Sequence, residues 1–230
     1  MMLWYRNVME IKCWGSRGSI PVSGEAYNRF GGDTTCLEIT ANSGETIIVD
    51  AGTGIRRLGN CLLERDVRQV HLVFTHAHWD HIQGLAFFRP IQFSKMDIRI
   101  QDRRFRGIST RDVVKEMLKE PFFPINIDDL KAGLSFEKAY NDQFSIGSVS
   151  IETIPTSHPG GGLGYKFTEA GQCFVFLTDN ELGFVHPGGK GFDDYLDFVR
   201  GADILFHDAE YTTAEYDKKK TWGHSSVDQV

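Results

Sequence analysis

Apolar residues along this chain fall in short runs rather than at long helical spacing. Cys36-Leu37-Glu38-Ile39-Thr40 and Thr46-Ile47-Ile48-Val49 flank Asn42-Ser43-Gly44, an arrangement that predicts a β-hairpin. His71-Leu72-Val73-Phe74-Thr75 alternates poorly and reads as a strand buried on both faces. Residues 174–178 and 203–206 read as further strands, the second preceded by a helix near residues 193–199. Helical patterns lie between the halves. One begins in the 76–81 segment and runs to about Phe88, before Pro90; another covers 110–120, where Val114, Met117 and Leu118 form an apolar face and Pro121 stops it. Strands in both halves with helices between them predict an α/β fold of two packed sheets flanked by helices. No linker, repeat or low-complexity stretch interrupts the pattern, so residues 1–230 read as one domain.

Composition supports that picture without sharpening it. With 41% apolar and 24% charged residues, 230 residues are enough for one large core. A net charge of −6 argues against a generic polyanion-binding surface. Cys13, Cys36, Cys61 and Cys173 are scattered, which excludes a disulfide framework or zinc ribbon. The opening Met1-Met2-Leu3-Trp4-Tyr5-Arg6 lacks the apolar core of a signal peptide, and no segment reaches the length of a membrane span, so the expected compartment is cytoplasmic. No heptad repeat speaks to oligomeric state. Arg99, Arg103, Arg104, Arg106, Arg111, Lys115 and Lys119 make a basic stretch. On the 110–120 helix its members line one face beside Asp112, Glu116 and Glu120, which is the pattern of a solvated, ion-paired helix. The arginines before the helix are within sequence reach of a phosphate. Most of the seventeen Phe belong in the core, and Phe87-Phe88 and Phe122-Phe123 are candidates for a pocket wall.

The chemistry concentrates in His76-Ala77-His78-Trp79-Asp80-His81, directly after the 71–75 run. In an extended chain residues two apart share a face, so His76 and His78 can address one cation. A turn near Trp79 would carry Asp80 and His81 to a second. Imidazole with carboxylate suits zinc, iron and similar ions in hydrolytic sites. Of the eight His, His71, His186 and His207 read as ordinary structural residues.

The spacing His76-x-His78-x-Asp80-His81 resembles the signature of the metallo-β-lactamase superfamily, whose fold is a four-layer αββα sandwich. Further landmarks follow in order. Residues 46–54, ending in Asp50-Ala51-Gly52-Thr53-Gly54, look like the first motif, in which the Asp hydrogen-bonds the metal-binding loop rather than ligating. His158, before Pro159-Gly160-Gly161-Gly162, matches the third motif, and Asp179, after the 174–178 strand, matches the fourth, where the carboxylate bridges two cations. Gly160 to Gly162 would admit close approach of a substrate to the backbone, with a plain tight turn as the equal alternative. Phe206-His207-Asp208-Ala209-Glu210 and Gly223-His224-Ser225 resemble a proton-relay pair of the ribonuclease Z branch. By that alignment the last metal ligand lies beyond Val230. The Ser-x-x-Gln capping box at Ser226 to Gln229 also starts a helix too short to stand alone, so a chain truncated at its C-terminus is expected. In the competing reading His224 itself is the last ligand.

The resemblance implies two divalent cations, zinc first with manganese or iron as alternatives, held by His76, His78, Asp80, His81, His158 and Asp179. Such pairs sit roughly 3.5–4 Å apart and share a water whose pKa falls to about 7. The expected activity is hydrolysis by a metal-bridging hydroxide. Asp80 would orient the nucleophile, and Asp208 with His224 would pass a proton to the leaving group. The expected substrate is a small anionic phosphodiester, a nucleotide or cyclic phosphate. Transfer RNA is disfavoured, because the 158–179 interval leaves no space for a tRNA-gripping arm and the chain is acidic. A thioester hydrolase of glyoxalase II type is the alternative if His224 is a ligand. A β-lactamase ranks last among the hydrolases. Among non-hydrolytic readings, a diiron or metal-sensing module is disfavoured by His78, where diiron relatives carry Glu.

Overall fold

A computed structural model describes residues 9–138 and 142–230. The Met1–Arg6 opening weighed above as a signal peptide lies outside them. In chain order the strands are β1 (Glu10–Gly15), β2 (Cys36–Thr40), β3 (Thr46–Val49), β4 (Gln69–Val73), β5 (Asp97–Asp102), the short β6 (Arg104–Phe105) and β7 (Ile108–Ser109), β8 (Gly133–Lys138), β9 (Gln143–Ile146), β10 (Val149–Thr156), β11 (Gly162–Glu169), β12 (Gln172–Leu177) and β13 (Ile204–His207). The α-helices are α1 (Ile55–Glu64), α2 (Trp79–Ile82), α3 (Thr110–Met117), α4 (Phe192–Val199) and α5 (Thr213–Lys219).

One sheet has the order β1-β2-β3-β4-β5-β8 and the other β13-β12-β11-β10-β9, while β6 and β7 pair only with each other. The expected hairpin is β2–β3, antiparallel with Thr40 opposite Thr46. β3, β4, β5 and β8 then run parallel. Side chains alternate across a strand, so Ile47 and Val49 point one way and Ile48 the other. Ile48, Leu72, Ile98 and Ile100 pack with Leu58 and Leu62 of α1 and Val114 of α3. On the opposite face Ile47, Val49 and Val73 meet Ile151, Tyr165, Phe167 and Phe174 of the second sheet. That sheet turns Val175 and Leu177 outward onto Tyr195 of α4. The layers are therefore helix, sheet, sheet, helix. Both faces of β4 are covered, which is why its sequence shows no polar alternation. Tyr165 also donates its hydroxyl to the Phe74 carbonyl at 2.8 Å, tying the second sheet to the end of β4.

Three details depart from the sequence expectations. The helix expected to run to Phe88 is one α-turn, α2, followed by 3-10 turns Gln83–Phe87 and Arg89–Gln92. The Gly84 N–H bonds the Ala51 carbonyl at 2.8 Å instead of the preceding turn, and a side chain at Gly84 would collide with the Gly52 carbonyl. Docking the 50–54 turn thus breaks the α-ladder. α3 stops at Met117 rather than Glu120, with Ser109 capping it by accepting the Asp112 N–H at 3.1 Å. Of the Phe doublets, Phe88 is core, whereas Phe87 and Phe123 form an edge-to-face pair with centroids 6.3 Å apart. Neither doublet lines the two cavities discussed below. No helix among the described residues is long and apolar enough to cross a membrane.

Candidate metal centre

β4 ends at Val73, and the chain then crosses the rim of the sandwich as an extended segment until α2 begins, with His78 at the N-cap. His76 and His78 lie on the extended part and Asp80 and His81 on the helical turn, so the reversal at Trp79 falls where the ligand spacing required it. β10 delivers His158 just past its end and β12 delivers Asp179. Asp50 and Asp179 both occupy left-handed backbone, at φ 63° and 50°. That conformation is uncommon outside glycine and clusters at functional sites.

The predicted residues converge. Ligand-capable atoms of His76, His78, His158 and Asp179 lie within 4.8 Å of one another, as do those of Asp80, His81 and Asp179. Asp179 belongs to both groups. Its Oδ2 is 3.4 Å from His76 Nε2 and 3.5 Å from His158 Nε2, while its Oδ1 is 3.3 Å from His81 Nε2. Asp80 Oδ2 sits 3.5 Å from the same His81 nitrogen and accepts the Ser19 N–H at 2.8 Å.

The surroundings fix which imidazole nitrogen carries a lone pair. A carbonyl only accepts, so the 2.9 Å contact of His158 Nδ1 with Gly223 O places the proton on Nδ1 and leaves Nε2 bare. His81 Nδ1 donates to Asp50 Oδ2 at 2.8 Å, which leaves Nε2 as the nitrogen turned to the cluster and free to ligate once a cation displaces its proton. Asp50 is fully buried and also accepts the Thr75 N–H at 2.7 Å and the Thr75 hydroxyl at 2.8 Å. This is the orienting task expected for Asp50. With its hydroxyl proton given to Asp50, Thr75 can accept from His76 Nδ1 at 3.1 Å.

Within the cluster, the buried nitrogens His76 Nε2 and His81 Nε2 have no hydrogen-bond partner among the described residues. Buried polar atoms are rarely left so, and here both face the Asp179 carboxylate at distances too long for good hydrogen bonds. Burial and neighbouring imidazoles hold the His76 pKa well below its usual value, and burial above all lowers those of His78 and His158. These rings are neutral at pH 7, as a metal requires. Burial opposes a charge on His81 too, but Asp179 and Asp50 outweigh it and raise its pKa well above normal. Burial would also raise the Asp179 pKa, yet the charge on His81 above all holds it well below the carboxylate range. The donor set fits divalent cations, which would take over the positive role His81 plays in their absence.

His224 and Asp208 meet beside this centre, with Nδ1 2.6 Å from Asp208 Oδ2 and 3.5 Å from Glu210 Oε2. Burial disfavours the imidazolium, but the Asp208 hydrogen bond and the charges of Asp208, Asp179 and Glu210 push the His224 pKa up to about 9. Asp179, Asp208 and His224 form a third group with atoms within 4.8 Å. They line a cavity of about 930 Å³ with Arg17, Lys219 and Phe206.

Glu181 was not foreseen. It is fully buried and accepts from Tyr216 Oη at 2.8 Å, Thr221 N at 2.7 Å, Gly223 N at 2.8 Å and His186 Nε2 at 2.9 Å. The loop so held carries both His224 and the carbonyl that orients His158. Gly223, at φ 95°, presses on the His158 ring where a side chain would collide. No short spacing in the sequence marks Glu181, since three of its four partners lie 35 to 42 positions away. His207, read from sequence as an ordinary residue, bonds Asn180 at 3.1 Å and the Asp208 carbonyl at 2.7 Å.

Comparison with known proteins agrees with this geometry. Ribonuclease Z of Azobacteroides pseudotrichonymphae is 23% identical over 226 residues, covering 84% of this chain and 74% of its own. Among solved structures, a diphosphatase from the PhnP family superposes with TM-score 0.67 at 20% identity, covering 95% of this chain and 79% of that one. Human tRNase Z, short form, superposes with TM-score 0.60 at 17% identity, covering 95% and 85%. These likenesses show the αββα fold of the metallo-β-lactamases. Residues 45–230 match the beta-lactamase superfamily domain, and with the fold and the convergent donors already in place, the chain belongs to that superfamily of metal-dependent hydrolases.

Proposed function

We propose that the protein is a two-cation phosphodiesterase acting on a small nucleotide or cyclic phosphate, with zinc the first choice of metal and manganese or iron as alternatives. The observation that carries this reading is the Asp179 carboxylate, which turns one oxygen to the His76 and His158 nitrogens and the other to His81. One carboxylate between two nitrogen groups is the arrangement a bridged pair requires. His76, His78 and His158 would hold one ion, and Asp80 and His81 the other, with Asp179 shared. Cations there would acidify water and neutralise charge on a phosphoryl group.

The chain's own residues supply the rest. Asp80, fixed by the Ser19 N–H, would orient the nucleophile. His224 is protonated at neutral pH and donates to the leaving oxygen, while Asp208 holds the ring and its charge. Arg17 and Lys219 line the same cavity among Asp179, Asp208, Glu210 and Glu215, so attraction of an anionic substrate would rest on the bound cations. Two of the similar proteins, a ribonuclease and a diphosphatase, break bonds to phosphorus, which supports a phosphate ester over a thioester. The segment between His158 and Asp179 is the β11–β12 hairpin, closed by Ala170 and Gly171, and this favours a small substrate over tRNA.

A thioester hydrolase is the second reading. It draws on the Asp179, Asp208 and His224 group, in which His224 would itself ligate. The test is a substrate panel on metal-loaded protein: bis-p-nitrophenyl phosphate and cyclic nucleotides against S-lactoylglutathione and a chromogenic cephalosporin. Turnover of the phosphodiesters is expected. Turnover of the thioester alone would overturn the proposal.

A further inference from the structure

Next to the Gly160 turn that follows His158 lies a hollow of about 540 Å³ whose charged lining, among the described residues, is Arg103, Arg104, Arg106 and Lys138 against the single acid Asp102. Four cations in one hollow stand out in a chain of net charge −6. The fold places them there deliberately close. β6 and β7 form a two-residue hairpin whose turn, Arg106-Gly107, has both residues at positive φ, 50° and 85°. Such turns favour Asn-Gly, so an arginine at the first position costs backbone energy for its side chain.

The four cations are held differently. Arg104 Nη1 donates to the Gly107 carbonyl at 2.9 Å and stiffens the turn. The Arg103 guanidinium stacks over the Phe144 ring, 5.4 Å from its centroid, with Asp142 3.9 Å from Nη1. The carboxylate of Asp102 is engaged by the Arg111 N–H at 3.2 Å. Arg106 has no hydrogen-bond or ion-pair partner among the described residues. The floor of the hollow is the turn Gly160 to Gly162, which begins two residues after His158. A point at the missing Cβ of Gly160 lies 3.7 Å from Arg106 Nε and 3.7 Å from His78 Nε2. Those nitrogens are thus no further apart than twice that distance, which places Arg106 close to His78 of the ligand cluster.

Resting on the phosphodiesterase reading, we infer that this hollow is a second-anion subsite, and that the substrate carries a further phosphate beside the one that is cleaved. A planar guanidinium pairs with two phosphate oxygens at once, and Arg106 is the side chain placed to do so. Arg103, Arg104 and Lys138 add long-range attraction, and the glycine floor lets a phosphate come close to backbone. The chemistry is shared by two sources, a nucleotide bearing an extra monoester and an oligonucleotide bearing the next diester.

The experiment uses the full chain reconstituted with metal and compares two chromogenic esters, thymidine 5′-p-nitrophenyl phosphate with and without a 3′-phosphate. The wild type is expected to prefer the 3′-phosphorylated ester by about tenfold in kcat/KM. That preference should collapse towards unity in Arg106→Asn, which suits the left-handed backbone, and survive in part in Arg106→Lys. A dinucleotide without terminal phosphate separates the sources: equal preference assigns the site to the next diester, and its loss assigns it to a monoester. Binding of thymidine 3′,5′-bisphosphate to metal-free protein by calorimetry gives a readout without turnover, and should weaken about tenfold in Arg106→Asn. No wild-type preference, or a preference and affinity untouched by Arg106→Asn, overturns the inference. If neither ester is cleaved but bisphosphate binding still depends on Arg106, the phosphodiesterase reading has failed and the anion site stands.

Discussion

Asp50→Asn changes one atom at a residue that touches no substrate, and its consequences can be worked through hydrogen by hydrogen. Asp50 Oδ1 accepts the Thr75 N–H, and Oδ2 accepts both the Thr75 hydroxyl and His81 Nδ1. An amide offers one oxygen. If that oxygen serves Oδ2, the NH2 group faces the Thr75 N–H; if it serves Oδ1, the NH2 group faces His81 Nδ1–H. The second conflict is relieved by moving the His81 proton to Nε2, the atom turned to Asp179. Nε2 then has no lone pair for a cation. Loss of an orienting partner of this kind lowers metal affinity by roughly 10–100-fold, about 1.4–2.7 kcal/mol. Metal-free stability should move less. The misplaced donor costs about 1–3 kcal/mol, but burial already disfavours the Asp50 charge, and removing that charge offsets part of the cost. The assay is a competition titration against a chromophoric chelator, alongside thermal unfolding of metal-free protein. One equivalent, that of the Asp80, His81 and Asp179 group, is expected to weaken while the other holds. Wild-type affinity for both equivalents would refute the reasoning, as would a uniform loss matched by collapse of the metal-free fold.

Two further outcomes follow from the Asp208–His224 pair. His224→Ala should lower turnover by about 10²–10⁴-fold with metal content unchanged by elemental analysis, the magnitude of a lost general acid; loss of one equivalent would make His224 a ligand and favour the thioester reading. In Asp208→Asn the main upward influence on His224 is gone and burial remains, so its pKa falls from about 9. Because a general acid works only while protonated, the alkaline limb of the pH–rate profile should move to lower pH by about one to three units. An unmoved limb would assign it to another group.

What could be read in the chain was what neighbours in sequence decide. His76, His78, Asp80 and His81 share one loop, and the turn at Trp79 followed from their spacing alone. The hairpin of β2 and β3 and the two-sided burial of β4 were equally local, set by Asn42 to Gly44 and by an unbroken apolar run. Glu181 was illegible because its task exists only once Tyr216, Thr221 and Gly223 have been folded against it. The early end of α2 was illegible for the same reason: Gly84 gives its N–H to Ala51, a partner the helical pattern does not contain. Arg106 shows both sides. Its charge was visible in a basic stretch ahead of the 110–120 helix, within sequence reach of a phosphate, but its approach to His78 depends on the β6–β7 turn meeting the Gly160 turn.

The most direct test of the account is the metal stoichiometry of wild type and Asp179→Asn after reconstitution with zinc, manganese or iron. Two equivalents in the wild type and at most one in the variant are predicted, since the shared carboxylate serves both groups. A wild type that takes up no metal, or two tightly bound ions retained without the Asp179 carboxylate, would contradict it.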